Sequence, residues 1–507
     1  MDALEIGTVP LRPRAVAVAA RSGLAVRLHP AAWERIVAGH EALGRLIVSG
    51  DAIYGVSTGL GAVADTRIAP DGDGVQRRVV LGRMVGVGPR ASAEQVRAVM
   101  LARLAGFAEG RSGASPEIVA AYIGLLNAGV IPVMPLIGSV GEADLAPLAH
   151  IAGVLAGAGE AMIDGEALPG PEALARAELI PPVFGVKDGL ALVSSNAVAT
   201  GLGALILADA ERLFGAWLAA AALSFEGYRA NLAPLHPQAA ALRPAPGQGE
   251  VAAALLGLFE GGDLVLPGAA RKLQDPLSFR CVVPVLGACL AALRGATAAV
   301  ELELNSSDDN PAIIAAEGAA DDAVQPNANF DTTHLALAFE TLSLAVARVA
   351  SAQAARILRL MSAESSGLPR FLCSAQDGRS GLAGVQKTVA ALVAEIGQRA
   401  GPMPIWSVPA ADGVEDYATM VVSTLGKLGE SLERLRLLCG IELLVAAQAC
   451  DLRSELRLGL GTAAVRRAVR GTAAMLLEDR PIAPDIEALG ALIASGRFDD
   501  FAAGMFR

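Results

Sequence analysis

The sequence predicts a mostly α-helical protein with a long central helix bundle, on two observations. Of 507 residues, 53% are hydrophobic and only 18% are charged; alanine supplies much of the apolar share, and alanine is the best helix former. In the second half, apolar residues recur at helical spacing over many turns. Faces that wide belong to a bundle that also packs against copies of its own chain.

Residues 1–200 read as a mixed N-terminal domain of short helices and Gly- and Pro-rich connections. Within it, "DAIYGVSTGLGAVADT" (residues 51–66) carries Gly55, Gly59 and Gly61 among small polar residues and predicts a loop. Its glycine spacing has no strand before it and no suitable acidic residue beyond it, so it is not read as a phosphate loop. The longest charge-free run, residues 118–141, is long enough for a bilayer, but Asn127, Pro132, Pro135 and its glycines interrupt it. Residues 201–480 predict the bundle. "HLALAFETLSLAVARVASAQAARILRLM" (334–361), "GLAGVQKTVAALVAEIGQRA" (381–400) and the segment 423–456 are its long helices. Residues 481–507 predict a short helix and tail.

The formal charge of −11 argues against a nucleic-acid partner. Five cysteines (281, 289, 373, 439, 450) without CxxC spacing read as buried thiols in a reducing compartment. Histidines 29, 40, 150, 236 and 334 form neither HxxxH nor HExxH, so no metal site is expected. The N-terminal residues lack a basic region followed by an apolar one, and a cytoplasmic protein is expected, with no membrane partner.

Seven segments then narrow the reading: "YGVSTGLGAV", "GSVGEADLAPLAHIAGVLAG", "KDGLALVSSNA", "QDPLSFRCVVPVLGA", "ELNSSDDNP", "NANFD" and "SVPAADGVEDYATM". In this order they resemble the histidine and phenylalanine ammonia-lyase superfamily, over about residues 45–430. The resemblance implies the ammonia-lyase (histidase/fumarase-like) fold and a homotetramer whose active sites are shared between chains.

Members of that superfamily cyclise an Ala-Ser-Gly tripeptide into an electrophilic methylidene-imidazolone. Here Gly141 is followed by Glu142-Ala143 and then Asp144-Leu145-Ala146-Pro147. The tripeptide has become a dipeptide without serine, and serine supplies the exomethylene carbon, so the ring cannot form in the usual way. No cofactor is therefore expected, and no metal or nucleotide signature replaces it. Other positions depart from the family as well. Ser194 takes the place of the asparagine that holds the cofactor, Leu277 that of a tyrosine, Asp331 that of a histidine, and Arg83 that of the histidine near the substrate ring.

What is retained still permits elimination. By resemblance, Tyr54 is the β-proton base, and a phenol serves as one when cations or donors lower its pKa. Arg280 is the carboxylate clamp, with the planar fork that suits the task, joined by Asn329. Glu415 matches the glutamate that meets the heterocycle. Lys387 replaces an apolar residue on a helix near the site, and a lysine on an apolar face is costly unless paired or functional. Lys387 and Glu415 are assigned to ring polarisation and protonation, with Arg83 beside the ring. Asn196 and Ser194 are further candidate substrate contacts.

Ammonia leaves poorly without an electrophile, whereas a quaternary amine departs as a neutral molecule. The expected reaction is elimination from a histidine-like amino acid or betaine, as in the ergothionases, which split ergothioneine into thiolurocanate and trimethylamine. Two alternatives stand beside it: a catalytically silent amino-acid-binding homologue, and an ammonia-lyase acting on histidine or aromatic amino acids by another route.

Overall fold

In the computed structural model the described residues are 3–50, 52–316, 321–374, 378–403 and 408–506. Asp51 and Ser407, at the edges of two motifs named above, lie outside them. The chain forms two compact units, one of residues 1–208, 297–337 and 403–425, the other of residues 209–296, 338–402 and 426–507.

The first unit holds all the strands found among the described residues, in small sheets. Ala3–Ile6 pairs in parallel with Ala25–Leu28, and Val87–Arg90 pairs antiparallel with Pro135–Ile137. Ile131–Pro132, Glu160–Ile163 and Glu166–Pro169 form a three-stranded sheet, and Ala312–Ile314 pairs with Ala323–Gln325. Its central helix, Ala93–Ala108, is buried from Val96 to Ala108. That explains why its sequence is apolar on every side apart from Arg97 and Arg103. The helix starts at a capping box: Ser92 accepts from the Gln95 amide, and the Gln95 side chain accepts from the Ser92 amide. Gly201, in the Ala197–Tyr228 helix, makes a close approach possible, since a Cβ there would lie 2.5 Å from the Val99 nitrogen.

The charge-free run breaks where its sequence suggests. The Pro116–Asn127 helix ends at Asn127, and the chain continues into the short strands at 131–132 and 135–137. Residues 52–66 form turns with one 3₁₀ segment at Gly61–Val63.

The second unit holds helices and connections, with no strand among its described residues. The bundle helices are Ala197–Tyr228, Val282–Leu304, Thr333–Met361 and Val421–Asp451, each running through parts of both units in sequence. Within the second unit Arg356 and Glu442 form a buried ion pair at 2.6 Å, and Ser224 and Gln353 also donate to Glu442. Such a pair is tolerable because every carboxylate lone pair finds a donor. Three segments, Asp188–Tyr228, Val282–Leu304 and Thr333–Met361, are long and apolar enough to cross a membrane by length and composition; 89% of the first one's apolar window is buried inside the protein. The sequence reading of five buried thiols needs correction: Cys289, Cys439 and Cys450 are buried, but Cys281 and Cys373 are partly exposed, because each sits on a short connection outside a packed helix face.

Candidate active site

Tyr54 stands on a tight turn whose neighbours Ile53 and Val56 are buried. Its hydroxyl accepts a hydrogen bond from the Gly61 amide at 2.9 Å. Gly55 has φ 72°, and a Cβ there would meet Leu60 and Leu190, so glycine is required both for the turn and for the space. Buried Gln76 fixes the turn from behind: its Nε2 donates to the Gly55 carbonyl at 2.8 Å and its Oε1 accepts from the Leu190 amide at 3.0 Å. Glu415 reaches the same loop, its Oε1 lying 3.8 Å from where a Cβ on Gly61 would stand. A backbone bridge between Ala410 and Glu415 holds that second loop. Burial lowers the Arg83 pKa, while Tyr54 and Glu415 act to raise it. Tyr54, Arg83 and Glu415 therefore form one group in the first unit.

The segment that resembles the cofactor-forming loop is tightly bound. Ser139 donates to Asp144, and its oxygen accepts from the Gly141 amide at 3.0 Å. The Asp144 carboxylate also accepts from the Ala199 amide at 2.9 Å, in the first turn of the Ala197–Tyr228 helix, where the exposed N–H groups favour an anion. Ala143 (φ 65°) and Asp144 (φ 43°) are both left-handed, an uncommon conformation for residues with a Cβ. The Ala143 carbonyl accepts from the Ser195 amide at 3.0 Å. The Gly141 carbonyl accepts from Thr332 at 2.6 Å and from Thr419 at 3.1 Å. A Cβ on Gly141 (φ 85°) would collide with the Thr419 hydroxyl.

This network brings Glu142 and Asp331 together, for their backbones pair in an antiparallel bridge. Around them lie Asp144, Glu303 and Asp308. Burial, with Asp331 and Asp144 adding to it, pushes the Glu142 carboxyl up to about 8, against the Thr419 amide that favours its charged form. Burial likewise lifts Glu303 to about 7 and Asp144 to about 6. The Asp308 carboxyl is also raised by burial, opposed by Arg103. Arg103 is fully buried, 2.7 Å from Asp309 and 3.6 Å from Asp308. Asn196 links the group: its Nδ2 donates to Glu303 at 2.9 Å and to the Asn329 carbonyl at 3.3 Å, and its amide donates to Asp308. Ser194 is buried, with its amide on the Leu190 carbonyl at 2.9 Å. Among the described residues, no group of three His, Cys, Asp or Glu side chains is arranged to hold a metal ion.

Arg280 and Lys387 belong to the second unit. Arg280 ends a short helix, Leu277–Arg280, and its sheltered Nε has no protein partner. Its neighbours are held firmly: Phe279 stacks on Tyr228 at 4.3 Å, and the Ser278 carbonyl accepts from Arg356 at 3.1 Å. Lys387 lies on the Val385–Arg399 helix, whose buried residues are Val385, Val389 and Ile396. Lys387 itself is exposed. Helix geometry puts it on the side of the helix opposite that buried stripe.

Several participants were not singled out from the sequence. Gln76 gave no signal in "DGDGVQRRVV". Glu303 and Asp308 stand inside "ELNSSDDNP", and Thr419 inside "VEDYATM", so the motifs contained them without revealing their contacts.

Comparison with known proteins shows the family. The family profile described as aromatic amino acid lyase matches residues 11–471. Histidine ammonia-lyase of Symbiobacterium thermophilum is 37% identical over 498 residues, covering 98% of this chain and 97% of that protein. The crystal structure of ergothionase from Treponema denticola, an ergothioneine-degrading enzyme, superposes with a TM-score of 0.92 at 31% identity, covering 98% of this chain and 99% of the other. Tyrosine aminomutase from Streptomyces globisporus gives a TM-score of 0.92 at 29% identity, over 99% and 98% of the two chains. The chain belongs to the aromatic amino acid lyase family and has its mostly helical ammonia-lyase fold.

Proposed function

We propose that this carbon–nitrogen lyase eliminates a quaternary amine from a histidine-derived betaine without a methylidene-imidazolone, with ergothioneine as the substrate and thiolurocanate and trimethylamine as products. The observation that carries the proposal is the Gly141-Glu142-Ala143-Asp144 segment. It does not fit the cofactor: no serine lies between Gly141 and Asp144, and the nearby Ser139 is committed to Asp144 and the Gly141 amide. No step is routed through that ring.

In the proposed reaction Tyr54 takes the β-proton. The C–H electron pair becomes the new double bond, and the C–N pair leaves with neutral trimethylamine. The Gly61 amide donates to the Tyr54 oxygen and the Arg83 guanidinium belongs to the same group, so a donor and a cation stand beside the proposed base. Glu415, beside the same loop, is suited to an imidazole N–H. Arg280, with an unengaged Nε, is suited to a carboxylate, helped by Asn329. Lys387, whose ammonium is exposed, is assigned to the sulfur-bearing ring, which gains negative charge as the β-carbon loses its proton. The likeness in fold to the ergothionase supports this reading, while the histidine ammonia-lyase of Symbiobacterium thermophilum is the more similar in sequence, at 37% identity against 31%.

We also propose a homotetramer, supported by Leu302, Leu344 and Leu358, large apolar side chains exposed on two bundle helices. Light scattering on the purified protein gives the mass directly.

The test incubates the protein separately with ergothioneine, hercynine, histidine and phenylalanine. Unsaturated product is followed by ultraviolet absorbance and released amine by mass spectrometry. Trimethylamine from ergothioneine is the expected result. Ammonia from histidine or phenylalanine would overturn the cofactor-free account.

A further inference from the structure

The group around Glu142 contains far more acid than base. Glu142, Asp144, Glu303, Asp308 and Asp331 act on one another, and the Arg103 cation reaches the group through Asp308. Two of these carboxylates stand at positions that differ from the ammonia-lyase pattern, and they are bridge partners. Side chains of a directly bridged pair leave the same face of the backbone, with Cβ atoms about 4.5–5.5 Å apart. Both changes thus act on one small volume.

A second observation points to a ligand there. Asn196 is 1% exposed, and its Oδ1 has no partner. The amide cannot be turned around to improve this, because its Nδ2 donates to Glu303 and the Asn329 carbonyl, and an oxygen in that place would face two acceptors. Glu142 Oε1 is likewise sheltered without a partner. Two unengaged oxygens beside an excess of carboxylates call for positive charge.

We infer that Glu142 and Asp331, with the Asn196 carboxamide oxygen, form the subsite that receives the substrate's positively charged α-amine. This rests on the proposed elimination. It replaces covalent capture of the amine with electrostatic holding: the cation is bound while charged and is released once the C–N bond breaks and the amine becomes neutral. Asp331 is fixed for the task, since its carboxylate accepts from the Thr333 amide at 3.0 Å and the Thr333 hydroxyl at 3.1 Å. The Thr419 amide steadies Glu142.

The experiment is calorimetric titration on the full chain carrying Tyr54→Phe, which prevents turnover, with and without Glu142→Gln or Asp331→Asn. Three ligands share one ring: ergothioneine, its primary-amine counterpart 2-thiohistidine, and the amine-free 2-thioimidazolyl propanoate. The expected result is a loss of about tenfold in affinity for the two cationic ligands in each variant, the scale of a charged contact. Binding of the amine-free acid should stay within about twofold, which also shows that the variants are folded. A larger loss for ergothioneine assigns the subsite to a quaternary amine, and a larger loss for 2-thiohistidine to a primary one. Unchanged cation binding, an equal loss for the amine-free acid, or no binding of any ligand overturns the inference. Trimethylamine release by the unmutated chain is scored separately. Release with unaffected binding in the variants sinks the subsite alone, and no release with selective cation loss sinks the elimination alone.

Discussion

The Tyr54 hydroxyl accepts a hydrogen bond from the Gly61 amide at 2.9 Å, and Gly61 in turn lies against the loop that carries Glu415. The proposed base and the proposed ring contact are therefore tied through one glycine. Tyr54→Phe removes the oxygen and leaves the ring packing. The expected outcome is a fall in kcat of about 10²–10⁴, the usual contribution of a positioned general base, with a thermal midpoint close to that of the unmutated protein. Rates on ergothioneine beside a melting curve check it, and a variant retaining most of its activity would exclude Tyr54 as the base.

Lys387 offers a cleaner separation of function from stability. It is exposed on the Val385–Arg399 helix, so Lys387→Met should change stability within about 0.5 kcal/mol, as at most surface sites. A ring-polarising role predicts a drop in kcat for ergothioneine that exceeds any change in KM. Equal turnover by both proteins would remove Lys387 from the mechanism.

Arg103 tests the cost of the acidic group. It is fully buried between Asp308, Asp309 and the Ala191 carbonyl, and its guanidinium lies 4.1 Å from the Phe107 ring centroid. Arg103→Leu removes the guanidinium shared by the two aspartates and leaves the Lys187 charge acting on Asp309. Breaking such a pair typically destabilises by about 3–5 kcal/mol, read by urea denaturation. A loss below about 1 kcal/mol, the scale of an exposed pair, would mean the aspartates find other compensation.

The raised carboxyls predict how stability responds to pH. Glu142 is lifted from 4.5 to about 8, Glu303 from 4.5 to about 7 and Asp144 from 3.8 to about 6. In this window the folded state binds more protons than the unfolded one, so stability falls as pH rises. The penalty is absent below pH 4, grows through each folded pKa, and is complete near pH 8–9. Asp308, Asp331 and Arg103 face the same group, and Arg103 stays charged throughout. The thermal midpoint should therefore drop between pH 6 and 8.5, and Glu142→Gln should flatten the upper part of that slope. A steeper slope in the variant would contradict the assignment.

Much of the fold was legible in the sequence because it rests on local patterns. Apolar periodicity marked the helix found at Thr333–Met361 to within one residue of its expected start, and the helix inside the charge-free run stops at Asn127, one of the residues read as interrupting it. One reading failed: the burial of Cys281 and Cys373 depends on what packs nearby, and periodicity does not report that.

What the sequence by itself determined was the helical class and the ordered motifs of the ammonia-lyase superfamily, the Gly141-Glu142-Ala143-Asp144 segment among them, all of which are properties of the chain read residue by residue. Only the tertiary structure decided that Glu142 meets Asp331, that Asn196 ties Glu303 to Asn329, and that Gln76 holds the Tyr54 turn. Each of those contacts joins segments at least 21 residues apart in sequence. Their meeting is set by how helices such as Ala93–Ala108 and Ala197–Tyr228 bury their apolar faces, and by where the buried polar groups must then find partners.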